Sequence, residues 1–195
     1  ALNAWALSGC EGTIEAATAF GKTRVGVLAI AYYAKKVDYN FKALIVTPTT
    51  AIQEEWRKEF KKWGESKVLQ ECVEIYCINT AREFVGCCYN MAVFDEIHNL
   101  NKSDDGDVYE NLIKILDCNF LALSETIGNI EFLKNTFSNI HPNKNVHYVE
   151  YNKRFTNHQR WIYNNGLESL HPLCTTEVDD LNSDFINNSL SFTPN

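Results

Sequence analysis

Between residues 13 and 149, short apolar runs alternate with longer stretches in which apolar residues recur every three or four positions. Runs at Thr13 to Ala17, Lys42 to Thr47, Val73 to Ile78, Met91 to Phe94, Phe120 to Leu123 and Val146 to Val149 are short, and mostly β-branched or aromatic, so they predict strands. Helical periodicity covers Lys22 to about Lys36, Thr50 to Trp63, Val108 to Leu116 and Asn129 to Phe137. In the second of these, Ile52, Trp56, Phe60 and Trp63 fall on one stripe. Strands alternating with helices predict an α/β domain with a mainly parallel sheet covered by helices on both faces. Ligands of such sheets bind beyond the carboxyl ends of the strands.

The pattern weakens after residue 151, where Asn, Asp and Ser accumulate. Trp161 to Tyr163 and Leu167 to Leu170 predict a hairpin around Asn164-Asn165-Gly166, because Asn-Gly accepts the positive φ angles of a tight turn. Asp179 to Asn195 reads as a polar linker. The expected division is therefore a domain over 1–150 and a hairpin with linker over 151–195.

Composition narrows the class without naming a function. The chain has 195 residues, 45% hydrophobic and 22% charged, the balance of a globular domain. Its longest apolar stretch, Val25 to Ala34, is too short to cross a bilayer, and residues 1–12 lack the layout of a targeting segment. A net charge of −7 argues against nucleic-acid binding by bulk electrostatics, so any such contact has to be local. Seven cysteines without paired metal-ligand spacing point to reduced thiols in a cytoplasmic or nuclear compartment.

Two segments carry candidate chemistry. Ala16-Ala17-Thr18-Ala19-Phe20-Gly21-Lys22-Thr23 follows a strand and opens a helix. Backbone N–H groups in such a turn and at the helix start form a nest for phosphates. Lys22 is then placed for the β- and γ-phosphates and the Thr23 hydroxyl for Mg²⁺. The strict Gly-x4-Gly-Lys-Thr pattern fails at its first position, which is Ala16. The second segment, Met91 to His98, is a strand of buried type ending in two carboxylates. Asp95 suits the metal, and Glu96 suits polarising an attacking water. Taken singly, each segment also fits a plain reading: a chance Gly-Lys-Thr at a helix start, and solvated acids at a strand end.

Together the segments resemble superfamily 2 helicases. Ala16 to Thr23 is similar to the Walker A motif of that family, and Asp95-Glu96-Ile97-His98 to its DExH box. Pro48-Thr49-Thr50-Ala51-Ile52, with Glu55-Trp56, resembles motif Ia, and Asn79-Thr80 lies where motif Ib is expected. Ser124-Glu125-Thr126 resembles motif III. The resemblance spans about residues 13–130 and implies a RecA-like P-loop domain that binds ATP and Mg²⁺ and hydrolyses ATP on DNA or RNA. It implies nucleotide contacts from Ala19, Phe20, Gly21, Lys22, Thr23 and Arg24, and metal contacts from Thr23 and Asp95. Glu96, Asp95 and Lys22 take the catalytic roles. Pro48, Thr49 and Thr80 would touch the nucleic-acid backbone, and His98, Ser124 and Thr126 would couple hydrolysis to strand movement. A second RecA-like domain, supplying an arginine finger, is the expected partner, with no membrane role.

Within the superfamily, Ala17, Thr18 and Phe20 to Arg24 resemble the loop of phage and large-DNA-virus helicases, which extends the expected setting to a virion or host cytoplasm. Leu123 to Asn129, Asn152 to Phe155 and Leu170 to Leu173 resemble Ski2-like helicases. Two departures bear on activity. Ala19 stands where the family has Gly, and a Cβ at a position of positive φ costs about 1 kcal/mol or more. Glu125 replaces a small residue of motif III, adding a carboxylate expected to disfavour ionisation of Asp95 or Glu96. A degenerate binding module and a different P-loop NTPase therefore remain alternatives. Other polar features read as structural. Arg57, Lys58, Lys61, Lys62 and Lys67 interleave with acids as on a solvated helix face, and the hairpin's Arg154, Arg160 and Trp161 suit packing on the domain edge.

Overall fold

The computed structural model describes residues 1–17, 20–37, 40–64, 66–81, 88–101, 106–125, 127–144, 146–151, 161–163 and 167–169. These divide into two compact units, Ala1–Lys153 and Arg154–Asn195.

The first unit is built on six parallel strands: β1 (Gly12–Ala16), β2 (Ala43–Thr47), β3 (Val73–Cys77), β4 (Met91–Phe94), β5 (Asn119–Ser124) and β6 (His147–Tyr151). Their order across the sheet is β3-β2-β4-β5-β1-β6. Among the described residues, seven helices connect or precede them: α1 (Leu2–Leu7), α2 (Lys22–Ala34), α3 (Thr50–Trp63), α4 (Lys67–Glu71), α5 (Ile78–Ala81), α6 (Gly106–Ile115) and α7 (Ile130–Ile140). A 3₁₀ turn covers Ile97–Asn101.

Strand side chains alternate between two cores, as the period of two requires. Ile14, Ala43, Ile45, Met91, Val93, Leu121 and Leu123 face the helices α1, α2 and α3, packing with Trp5, Val27, Ile30, Trp56 and Phe60. Leu44, Val46, Ala92, Phe94, Phe120 and Ala122 face α5, α6 and α7, packing with Ile78, Tyr109, Leu112, Leu133 and Phe137. Each fully buried Leu, Ile or Phe in these layers contributes roughly 1.5–3 kcal/mol relative to exposure. Both faces are thus dry, which is why strands such as Ala43–Thr47 are buried throughout and mostly apolar rather than alternating.

The expected α/β architecture is observed, with local corrections. Helix α2 ends at Ala34, before Lys36. Ile78 begins α5 rather than closing β3, and its side chain is fully buried. Helices α1, α4 and α5 and the 3₁₀ turn were not expected; α1 inserts Trp5, whose indole N–H donates to the Phe120 carbonyl at 3.2 Å. α4 is short and capped by Ser66, whose hydroxyl accepts from the Leu69 amide.

The second unit contributes the antiparallel pair β7 (Trp161–Tyr163) and β8 (Leu167–Ser169), with Ile162 opposite Glu168. The Asn164-Asn165-Gly166 turn, Leu170, Arg154 and Arg160 lie outside the described residues.

Candidate functional site

Strand β1 delivers the chain to the phosphate-type loop. Phe20 donates its amide to the Ala17 carbonyl at 3.2 Å, and its ring packs at a tilt of 38° against Tyr151, 4.4 Å between centroids. Gly21 then takes a left-handed conformation, φ 86° and ψ 41°, as N-cap of α2. This turn requires a residue without Cβ strain. Among the described residues no side chain caps α2, so its first-turn N–H groups have no side-chain acceptor there, the arrangement that favours an anion. Thr23 is half-buried in this first turn, and the Arg24 guanidinium lies 3.9 Å over the Trp63 ring. Thr18 and Ala19 lie outside the described residues.

Strand β4, buried along its whole length, carries the chain to the two carboxylates. The Asp95 amide donates to the Val46 carbonyl at 2.9 Å, prolonging the β4 path beside β2. Its side chain is 5% exposed, so Asp95 is no solvated strand-end acid. Oδ2 accepts the Trp56 indole N–H at 2.7 Å, Oδ1 accepts the Glu96 amide at 3.0 Å, and the Asp95 carbonyl accepts the Tyr109 hydroxyl at 2.8 Å. Burial pushes the Asp95 carboxyl up to about 6; the Trp56 hydrogen bond opposes this, the Glu96 charge adds to it, and Lys22 opposes it again. Glu125, the carboxylate expected to act here, is not among these causes. The like charge comes instead from the chain neighbour Glu96.

Glu96 itself has φ 51°, a left-handed conformation uncommon for a residue with a side chain. One carboxylate oxygen, Oε1, lies 3.2 Å from Lys22 Nζ. The other, Oε2, lies 3.3 Å from His98 Nδ1 without forming a hydrogen bond, and is a buried acceptor lacking a partner among the described residues. His98 Nδ1 is also 3.2 Å from the Ser124 hydroxyl at the end of β5. Lys22, Glu96, His98 and Ser124, from three separate segments, thus form one line of polar contacts. Thr126 lies outside the described residues.

Pro48, Thr49 and Thr80 follow the ends of neighbouring strands β2 and β3. Both threonines are exposed, and each also serves its own backbone: Thr49 caps α3 by accepting from the Ile52 amide, and Thr80 donates to the Cys77 carbonyl. The Cys77 thiol contacts the Pro48 carbonyl at 3.6 Å, joining the two loops. Glu54 pairs with Arg57 on the exposed face of α3, as the interleaved charges suggested.

Sequence reasoning missed three participants. Trp56 was read as a member of the apolar stripe and of the motif Ia resemblance, not as a partner of Asp95, although a buried indole requires an acceptor. Tyr109 and Glu15 show no local signal. Glu15 accepts from the Ile127 amide at 3.3 Å and from the Tyr148 hydroxyl, tying β1 to the segment after Ser124.

Comparison with known proteins bears on this arrangement. Residues 3–84 match the family model described as type III restriction enzyme, res subunit. The ATP-dependent DNA helicase Hel308 of Pyrococcus abyssi is 31% identical over 157 residues, 68% of this chain and 22% of that protein. An uncharacterised helicase of Dictyostelium discoideum is 29% identical over 120 residues, 55% of this chain and 7% of that protein. The Hef helicase domain of Pyrococcus furiosus superposes with a TM-score of 0.56 at 16% identity, over 76% of this chain and 37% of its own. The helicase MrfA, bound to DNA and AMPPNP, gives 0.57 at 18% identity, over 76% of this chain and 26% of its own. The chain has the RecA-like fold of these helicase domains and is similar in sequence to helicases.

In this RecA-like domain, the family match ends before β4, so it contains Lys22 and Trp56 but not the Asp95-to-Ser124 cluster. The chain spans less than a quarter of the length of either curated helicase relative. Among the described residues, no helix is long and apolar enough to cross a membrane.

Proposed function

We propose that this RecA-like domain is the first motor domain of an ATP-dependent helicase or translocase acting on DNA or RNA. The observation that carries the reading is the single line of contacts from Lys22 through Glu96 and His98 to Ser124, at the carboxyl ends of the strands. A Walker A lysine, a DExH box and a motif III serine occupy one locus.

The residues present fit ATP and Mg²⁺. Among the described residues the α2 N-terminus has no side-chain cap, and Glu96 Oε2 is a buried acceptor in need of a donor. Gly21 to Arg24, with Ala19 and Phe20, would cradle the nucleotide, and Thr23 and Asp95 would hold Mg²⁺. When bound, the ion supplies neutralisation of phosphate charge. Lys22 binds the phosphates, leaving Glu96. Glu96, so released, orients the attacking water and accepts its proton. His98 and Ser124, with Thr126, respond to the change at Glu96. Pro48, Thr49 and Thr80 bind the nucleic-acid backbone from the exposed ends of β2 and β3. Residues 1–150 form this motor domain, and 151–195 lead toward a second RecA-like domain that completes the ATP site. The loop residues Ala17, Thr18 and Phe20 to Arg24 support a viral-type helicase of the cytoplasm, nucleus or virion.

Nucleic-acid-stimulated ATP hydrolysis by the full-length protein tests the reading. Lys22→Ala and Glu96→Gln should each abolish stimulated turnover; survival of turnover in both overturns the site. ATP-independent nucleic-acid binding with no hydrolysis by the unaltered protein favours a degenerate module, consistent with Glu125 in motif III.

A further inference from the structure

The Asp95 carboxylate is held by two donors of different origin. Oδ1 takes the amide of its chain neighbour Glu96, and Oδ2 takes the indole N–H of Trp56 from α3, at 2.7 Å. A carboxylate oxygen accepts about two hydrogen bonds, so each oxygen keeps one free direction while the plane of the group is fixed. The Trp56 hydrogen bond is charge-assisted when Asp95 is ionised, and such bonds are roughly twice as strong as neutral ones.

The indole has no room to turn away. Trp56 is fully buried, and a Cβ built on Gly26 of α2 would come within 2.3 Å of its Cη2 and 3.3 Å of Leu123 Cδ1. Packing alone would admit any apolar side chain that fills this notch. What distinguishes tryptophan here is the N–H aimed at Asp95. Helix α3 also begins at the exposed Thr49 cap, so one rigid helix runs from the candidate nucleic-acid end to the carboxylate.

We propose that Trp56 is the positioning residue of Asp95: its indole N–H fixes the carboxylate for a divalent cation and ties that carboxylate to the motif Ia helix. The inference rests on the metal role assigned to Asp95 above. Partners that orient a metal-ligating group typically change metal affinity by about 10- to 100-fold when removed.

The test is Mn²⁺ binding, followed by electron paramagnetic resonance, to the full-length protein in the presence of a non-hydrolysable ATP analogue. Trp56→Phe removes the N–H and some volume. Replacement of Trp56 by benzothienylalanine removes the N–H while keeping the ring shape, and 5-fluorotryptophan keeps both. The Mn²⁺ dissociation constant should rise about tenfold in the first two and return to the wild-type value in the third. Metal-free affinity for the analogue should stay unchanged throughout. Mn²⁺ binding by the benzothienylalanine protein within twofold of wild type overturns the role of Trp56 while leaving the site intact. Failure of the wild-type protein to bind Mn²⁺ with the analogue overturns the site assignment itself, and the inference with it.

Discussion

Lys22 at the start of α2 and Glu96 after β4 form an ion pair of 3.2 Å, with side chains 12% and 22% exposed. The lysine that would meet a phosphate is therefore held by the acid that would activate water. On the proposed reading an entering nucleotide displaces this pair, and a partly exposed pair is worth up to about 1 kcal/mol.

Glu96→Gln should consequently separate binding from turnover. Affinity for an ATP analogue, measured by calorimetry, should rise by about two- to fivefold, because Lys22 no longer loses a carboxylate partner. Hydrolysis should fall by about 100-fold or more. Weaker analogue binding than wild type would show that the pair does not compete with phosphate.

Asp95 makes stability depend on pH. Its folded value of about 6 lies above the ordinary 3.8, so its contribution is fully present below 3.8 and is lost as pH rises through 6. The shift corresponds to roughly 3 kcal/mol at most. Asp95→Asn removes this dependence, but sets an amide N–H against either the Trp56 or the Glu96 donor. The readout is therefore the change in the stability difference between variant and wild type. Urea unfolding should show that difference shifting by about 2–3 kcal/mol in favour of the variant between pH 4 and pH 8. A difference independent of pH would mean Asp95 titrates normally.

Gly26 lies in the interior of α2, where Ala would ordinarily be preferred by about 1 kcal/mol. Here a Cβ would strike the Trp56 ring at 2.3 Å. Gly26→Ala should thus destabilise the domain by about 1–3 kcal/mol in denaturant unfolding, the reverse of helix propensity. Stabilisation would show that α2 and α3 separate at little cost.

The sheet and its helices were legible wherever pattern and burial coincide. Thr50–Trp63 and Met91–Phe94 carry uninterrupted signals, and each lies within its expected bounds. Helix α1 was not legible, because six residues ending in an exposed Leu7 show neither a cap nor a periodic face; Trp5 is its one fully buried residue, with Leu2 and Ala6 packed beside it. Lys22, Asp95 and Glu96 announced themselves by spacing from strand ends. The Trp56–Asp95 bond did not, since it depends on how α3 crosses the sheet, which no local pattern records. Nor did the left-handed backbone at Glu96, which depends on the turn following β4.

Strand β1 lies between β5 and β6, with Gly12 opposite Leu121 on one side and His147 on the other. During synthesis β1 emerges before the other five strands, yet its neighbours β5 (Asn119–Ser124) and β6 (His147–Tyr151) follow only after β2, β3 and β4 have been made. Until then β2, β3 and β4 can pair among themselves, while β1 waits as an unpaired apolar segment. The loop that follows β1 gains its anchor only at the end of this sequence. A nascent chain truncated before β5 would therefore hold Lys22 without a rigid platform, and nucleotide binding should be acquired last as the domain is made.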